Sequence, residues 1–142
     1  MGVYVDDLII MGESDQELNL FKNEMKKVFQ MSDLGALSYY LGIEVKQGGQ
    51  GIGLSQCTYA AKLLEKVGMG SCNSCATPME AKLKLSKVSE SKPVDATMYR
   101  SLIGSLRYLL HTRPELTYNV CYLSHFMEAP KQEHLDAVNR VL

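Results

Sequence analysis

No apolar run in this chain approaches the roughly 20 residues that a membrane-crossing helix needs, and no signal-peptide pattern opens it. The expectation is a soluble, intracellular protein with no membrane partner. Cysteines are few and unevenly spaced (Cys57, Cys72, Cys75, Cys121), which fits a reducing compartment rather than a disulfide framework. The lone Cys72-x-x-Cys75 supplies half of a structural zinc ligand set. No second pair exists, and no aromatic-flanked redox motif surrounds it, so it reads as two free thiols in a loop and zinc is not expected. His111, His125 and His134 stand at no metal-ligand spacing and read as surface or helix-packing residues. No Ser-His-Asp constellation, phosphate-cradling glycine loop or internal repeat is present. A net charge of −1 leaves no bulk attraction to nucleic acid.

What is present is organised around residues 3–11, Val3-Tyr4-Val5-Asp6-Asp7-Leu8-Ile9-Ile10-Met11. Two β-rich apolar arms flank two adjacent carboxylates. Asp is poor inside strands and good at tight turns, so Asp6 and Asp7 are placed at the tip of a β-hairpin. Neighbours on an extended chain face opposite ways, but at a turn tip both can lean toward one cation. Phosphoryl transfer onto a hydroxyl is favoured by two divalent cations roughly 4 Å apart. Mg²⁺ commonly takes one or two protein carboxylates plus substrate phosphates. An Asp-Asp pair is also an ordinary turn dipeptide, and the rest of the chain has to decide between the two readings.

The 142 residues suffice for one medium domain or two small ones, with ordinary hydrophobic (46%) and charged (22%) content. Charge is unevenly spread. Residues 1–17 hold five acids and no Lys or Arg, whereas residues 82–92 hold four lysines, Lys82 to Lys92, against one Glu. Ser14-Asp15-Gln16-Glu17 predicts a capped helix whose Leu18, Phe21, Met25, Val28 and Phe29 lie over one face of the hairpin sheet. A strand over residues 37–46, a glycine turn at 48–51 and a returning strand over 52–55 follow, with Gly42 allowing a bulge or a close approach. Residues 58–67 form a short helix ended by Gly68. Residues 79–96 read as an extended, lysine-rich linker stiffened by Pro93. The last third is helical: residues 97–110, where Gly104 and Ser105 permit close helix approach, then helices begun by Pro114 and Pro130. The chain opens almost inside a strand and closes with its apolar period still running, which reads as a piece of a longer protein.

Four strings in this order resemble copia-type retrotransposon reverse transcriptases. They are Tyr4-Val5-Asp6-Asp7; Asp33-Leu34-Gly35 followed by Tyr40-Leu41-Gly42-Ile43-Glu44-Val45; Thr77-Pro78-Met79; and Tyr99-Arg100-Ser101-Leu102-Ile103-Gly104-Ser105-Leu106-Arg107-Tyr108-Leu109 with Thr112-Arg113-Pro114. The resemblance implies an α+β fold in which residues 1–56 form the C-terminal part of a polymerase palm. Residues 57–96 would be the first thumb helix and a linker, and residues 97–142 the helical thumb and connection. Asp6 and Asp7 would be catalytic and metal-binding, for Mg²⁺ or Mn²⁺. Tyr4 and Val5 would border the primer terminus and incoming nucleotide, and Leu41, Gly42 and Ile43 would lie in an element like the primer grip. The implied partners are an RNA/DNA template–primer and a dNTP. The parent Pol polyprotein would add fingers and an earlier palm Asp upstream and RNase H downstream, and would act in the cytoplasm, a virus-like particle or the nucleus.

Only five residues precede Asp6, so the earlier palm Asp and the fingers are not in this chain; Asp33, Asp95 and Asp136 stand in the wrong contexts to replace that Asp. The metal should be weakly held and the 142 residues inactive as a polymerase by themselves. Two other readings stay open: a non-catalytic nucleic-acid-binding module using the helices and Lys82 to Lys92, or a relic gene product without selected function. An uncovered hairpin edge would favour aggregation or dimerisation.

Overall fold

The β-branched and aromatic residues that open the chain pair as an antiparallel ribbon, β1 (Gly2–Tyr4) and β2 (Asp7–Ile9), with Tyr4 opposite Asp7 and Val3 opposite Leu8. Ser14 then starts α1 (Asp15–Val28), its hydroxyl oxygen accepting the Glu17 N–H at 3.5 Å. Acids in the first turn and Lys26 and Lys27 in the last suit the helix dipole. The expected burial of α1 over the ribbon is not found. No α1 residue is buried; Leu18 and Phe21 instead join Met1, Ile10, Met11 and Gly12 around an open concavity of about 260 Å³. A three-residue ribbon offers too little apolar area to cover a fourteen-residue helix. Past the helix, Asp33 accepts the Gly35 N–H at 3.0 Å and pairs with Lys22 at 3.1 Å, closing a turn in which Gly35 has φ +79°. Both partners, the Gly35 amide first, hold the Asp33 carboxyl below its usual range.

These elements make a first compact unit, Met1–Leu37, and the rest a second, Ser38–Leu142. The computed structural model describes residues 1–80 and 83–142. Lys82, the start of the expected basic stretch, lies outside the described residues.

In the second unit the single strand expected over residues 37–46 is two strands. β3 (Tyr39–Tyr40) turns at Leu41-Gly42 into β4 (Ile43–Gly48), which turns again into β5 (Gly51–Ser55), giving an antiparallel meander. Gly42 is thus a turn residue, with φ +79°. Helix α2 (Cys57–Lys66) ends as expected at Gly68. The Gly68 N–H donates to Glu65 O and the Met69 N–H to Leu64 O, at 3.0 and 2.8 Å, and the left-handed φ of +72° at Gly68 makes this double bond possible.

The core of this unit is helical. Helix α3 (Ala96–Leu109), capped by Asp95 on the Thr97 N–H, buries Tyr99, Leu102, Ile103, Leu106 and Leu109. A 3₁₀ turn opened by Pro114 leads into α4 (Thr117–Ser124), which adds Val120 and Leu123. Helix α5 (Gln132–Val141) adds Ala137, Val138 and Val141, and α2 contributes Leu63. Pro130 precedes the α5 cap, Lys131, rather than beginning the helix. Gly104, expected at a helix contact, is exposed with nothing within 4 Å of where a Cβ would sit. Ser105 is the close point instead, its carbonyl accepting the Tyr59 hydroxyl of α2 at 3.2 Å. Tyr99 is fully buried and donates to Leu123 O at 2.9 Å; burial pushes its hydroxyl up to about 12.

The segment expected as a linker is strapped to this core. The Arg140 guanidinium of α5 reaches the Thr77 carbonyl (3.1 Å) and hydroxyl (3.3 Å) and pairs with Glu80 at 3.1 Å. The Tyr122 oxygen accepts the Leu85 N–H at 3.1 Å, and the chain around Pro93 bridges to Lys131. His134, of zero exposure, accepts the Lys131 N–H on Nδ1 at 2.9 Å, so Nε2 carries the proton and donates to Ser86 O at 3.1 Å. Its ring stacks on Phe126, centroids 4.0 Å apart. Burial holds the His134 imidazole below its ordinary value of 6.5, outweighing the Ser86 carbonyl and Glu133, which favour the charged ring.

A neutral His134 stabilises the fold fully above about 6.5 and less as pH falls, because the unfolded ring then takes up a proton that the folded ring resists. His134→Phe keeps the stack but orphans the Lys131 N–H and Ser86 carbonyl, and is expected to cost about 1–3 kcal/mol at neutral pH. It should also flatten stability against pH below 6.5, read from urea melts at several pH values.

Candidate active-site hairpin and its supporting elements

Tyr4, Val5, Asp6 and Asp7 fall on one tight turn. Tyr4 pairs with Asp7, so the two tip residues are Val5 and Asp6, and Asp7 is the first residue of β2. The acidic pair therefore straddles the tip and the strand, one position later than a centred pair. Val5 has φ +49° while Asp6 is not left-handed, the pattern of a type II′ turn. That position suits glycine; a β-branched residue there costs roughly 1–2 kcal/mol. Val5 is nonetheless 79% exposed, so no burial offsets the strain. The residues around the tip, 1–7, are all exposed.

Among the described residues no group of three or more His, Cys, Asp or Glu gathers where a metal ion would sit. Asp6 and Asp7 are adjacent and exposed, and two carboxylates are a donor set that Mg²⁺ accepts when substrate oxygens complete its shell. Cys72 and Cys75 are exposed and free. His111 and His125 are exposed, and His134 is the packing residue described above.

Leu41, Gly42 and Ile43 occupy a second tip, in the second unit. Leu41 (φ +48°) and Gly42 (φ +79°) are both left-handed, the pattern of a type I′ hairpin turn, with Tyr40 opposite Ile43. Val5 and Leu41 are the two non-glycine residues with positive φ among the described residues. Strain of this kind persists where the surroundings over-determine it and clusters at functional positions.

The surroundings of the second tip are the part that sequence reasoning missed. The Tyr108 hydroxyl of α3 donates to Leu41 O, directly over Gly42, and a Cβ on residue 42 would collide with it. One residue into β4, Glu44 reaches across to α2: Oε1 accepts the Thr58 N–H at 2.8 Å and Oε2 the Ser55 hydroxyl at 3.0 Å. Gln56, at the capping position before α2, makes no side-chain cap bond, so Glu44 caps the helix from strand β4. The Thr58 amide is the main reason that the Glu44 carboxyl titrates below its usual 4.5. Gln56 is turned inward, accepting the Thr112 hydroxyl at 2.8 Å with 3% exposure. Tyr108 left no signal beyond its place in the α3 string.

A family profile described as reverse transcriptase (RNA-dependent DNA polymerase) matches residues 1–81. The chain belongs to the reverse transcriptase family. It is 42% identical over 142 residues to the retrovirus-related Pol polyprotein from transposon RE1 of Arabidopsis thaliana, covering all of this chain and 10% of that protein. An uncharacterized mitochondrial protein of the same plant is 39% identical over 140 residues, 99% of this chain and 58% of that one. The Pol polyprotein from transposon TNT 1-94 of Nicotiana tabacum is 34% identical over 149 aligned residues, 99% of this chain and 11% of that protein. The chain thus spans about a tenth of these Pol polyproteins and just over half of the mitochondrial relative. No solved structure matches it. Within this reverse transcriptase relative, the copia-type strings are the structural joints: Glu44, Tyr108 and Thr112 lie in them, and each bonds across elements.

Two substitutions test the joints. Gly42→Ala forces an L side chain into a left-handed position against the Tyr108 hydroxyl and is expected to cost roughly 1–2 kcal/mol in a denaturant melt. The Glu44 cap contributes fully above 4.5 and is lost as pH falls through its lowered folded value, so Glu44→Gln should flatten the melting temperature between neutral and acid pH.

Proposed function

We propose that this chain supplies the catalytic hairpin, the primer-gripping hairpin and the thumb helices of a template-directed DNA polymerase. The observation that carries the reading is the Tyr4-Val5-Asp6-Asp7 tip, an exposed and strained turn presenting two adjacent carboxylates in a member of the reverse transcriptase family. In the parent polymerase a primer 3′-hydroxyl attacks the α-phosphorus of a dNTP copied against an RNA or DNA template. Reverse transcriptases generally use divalent metal, and Asp6 and Asp7 are the residues that would hold Mg²⁺ or Mn²⁺ here. When bound, the ion neutralises charge that develops on the transferring phosphoryl group. The chain's own residues supply position. Tyr4 pairs with Asp7 across the ribbon and fixes the start of β2, and Val5 at the tip borders the nucleotide. Leu41, Gly42 and Ile43 border the primer strand. Residues 1–56 then belong to the palm, 57–96 to the first thumb helix and strap, and 97–142 to the thumb and connection.

Two carboxylates with no third among the described residues hold a cation weakly. The chain by itself therefore positions no nucleotide and is inactive, completed in a Pol polyprotein by fingers, an earlier palm carboxylate and a downstream RNase H domain. A second reading, a non-catalytic nucleic-acid-binding module, is favoured by the outer face of α3. Arg100, Ser101, Gly104 and Arg107 are exposed there, Arg100 with its Nε–H donating to Met127 O at 2.9 Å, and α3 contains no acid. A glycine on an open helix face costs about 1 kcal/mol relative to Ala, and it lets a sugar–phosphate backbone approach closely between the two arginines.

The experiment is hybrid-duplex binding and primer extension by the purified chain. An RNA–DNA duplex should bind at low salt and weaken steeply as salt rises. Arg100→Ala/Arg107→Ala should weaken binding several-fold and reduce the salt slope by about 2, with Asp6→Asn leaving affinity unchanged. No extension is expected. Templated, Asp6-dependent extension would overturn the inactivity, and absence of binding at low salt would remove the nucleic-acid role altogether.

A further inference from the structure

The β3-β4-β5 meander has no buried residue among its strands, so nothing internal fixes its first turn. A Leu-Gly pair is a poor choice for a type I′ turn, which favours Asn-Gly, and Leu41 must be held left-handed from outside. The holder is on α3. The Tyr108 hydroxyl donates to the Leu41 carbonyl, and Gly42 is bare where that hydroxyl sits. Tyr108 is itself fixed: its ring meets Tyr59 edge-on, centroids 4.7 Å apart, and His111 at 5.8 Å. Tyr59 is tied back to α3 by its 3.2 Å bond to the Ser105 carbonyl. Glu44 ties β4 to the Thr58 amide in the first turn of α2, and Gln56 ties the start of α2 to the Thr112 hydroxyl just beyond α3, at 2.8 Å each. The turn is therefore an extension of α3 rather than an independent loop.

We propose that Tyr108 is a positioning residue that makes the Leu41–Gly42 tip and α3 one body, so that where α3 seats on a duplex sets where the tip meets the primer terminus. This rests on the reading of the tip as primer-gripping and of α3 as a duplex-binding helix. Tyr108 touches neither substrate; it acts through Leu41. In this arrangement the apolar side chain of Leu41 stays 45% exposed and available for contact, while its backbone is held from a neighbouring helix.

The test uses Tyr108→Phe, which keeps both ring contacts and removes the hydroxyl. The probe is an RNA–DNA hybrid with 2-aminopurine at the primer 3′ end, whose fluorescence reports contact at the terminus. In the free chain, amide exchange at residues 42–45 is expected to rise at least tenfold or so, with exchange in the α3 core unchanged. On the hybrid, Tyr108→Phe should bind within about twofold of the parent affinity but lose most of the terminal fluorescence change. Adding Leu41→Asn, which supplies the side chain that this turn favours but not the apolar contact, should restore slow exchange at the tip without restoring the terminal fluorescence change. Unchanged tip exchange and terminal fluorescence in Tyr108→Phe would overturn the positioning role and leave the polymerase reading standing. Exchange rising equally through α3 would overturn it as well, marking a general loss of stability. Failure of the parent chain to bind the hybrid would overturn both readings.

Discussion

Burial of one stripe on α3 is the constraint on which the second unit depends. Tyr99, Leu102, Ile103, Leu106 and Leu109 sit between α2, α4 and α5, and no residue of the meander joins them. Removing this apolar surface from water stabilises the helices at roughly 25 cal/mol per Å², and every other feature of the unit is then attached to that body by directional bonds. Tyr99 links α3 to α4 through Leu123, Arg140 and His134 fasten the strap, and Glu44 and Tyr108 fasten the meander. Hydrogen bonds contribute little net free energy each, but an unpaired buried partner costs more, so they specify where pieces go rather than whether the unit folds.

The same logic separates the two hairpins. Each tip carries a bulky residue in a left-handed conformation, Val5 in one and Leu41 in the other. At Leu41 the strain is answered by a hydroxyl from α3. At Val5 the ribbon is two strands of three residues with both tip residues exposed. A ribbon that short is marginal by itself. The adjacent carboxylates Asp6 and Asp7 thus sit on a ribbon with no buried residue, whereas the buried residues gather in the helices of the second unit.

Much of the helical half was legible because its signals are local. Pro114 at a helix start and Gly68 after one report backbone preferences that hold wherever the chain is placed. The turn at Leu41-Gly42 was misread as a strand interior because Leu is no turn former; what licenses it there is Tyr108, 67 residues away in sequence. Gly104 shows the converse error. Its small size suggested helix contact, yet the contact falls at Ser105 and Gly104 faces outward. Spacing says which residues share a face, not which neighbour that face meets.

The sequence by itself determined the family and with it the α+β class, through four strings that resemble copia-type reverse transcriptases, and it determined the apolar stripes and the acidic turn to within one residue, through period and turn preference along the chain. Only the tertiary structure decided that the strap is fastened, that Glu44 caps a helix it does not belong to, and that Tyr108 holds the second tip. Each of these is a bond between residues distant in sequence. Its existence depends on the ångström-scale approach of packed elements, which no local pattern encodes.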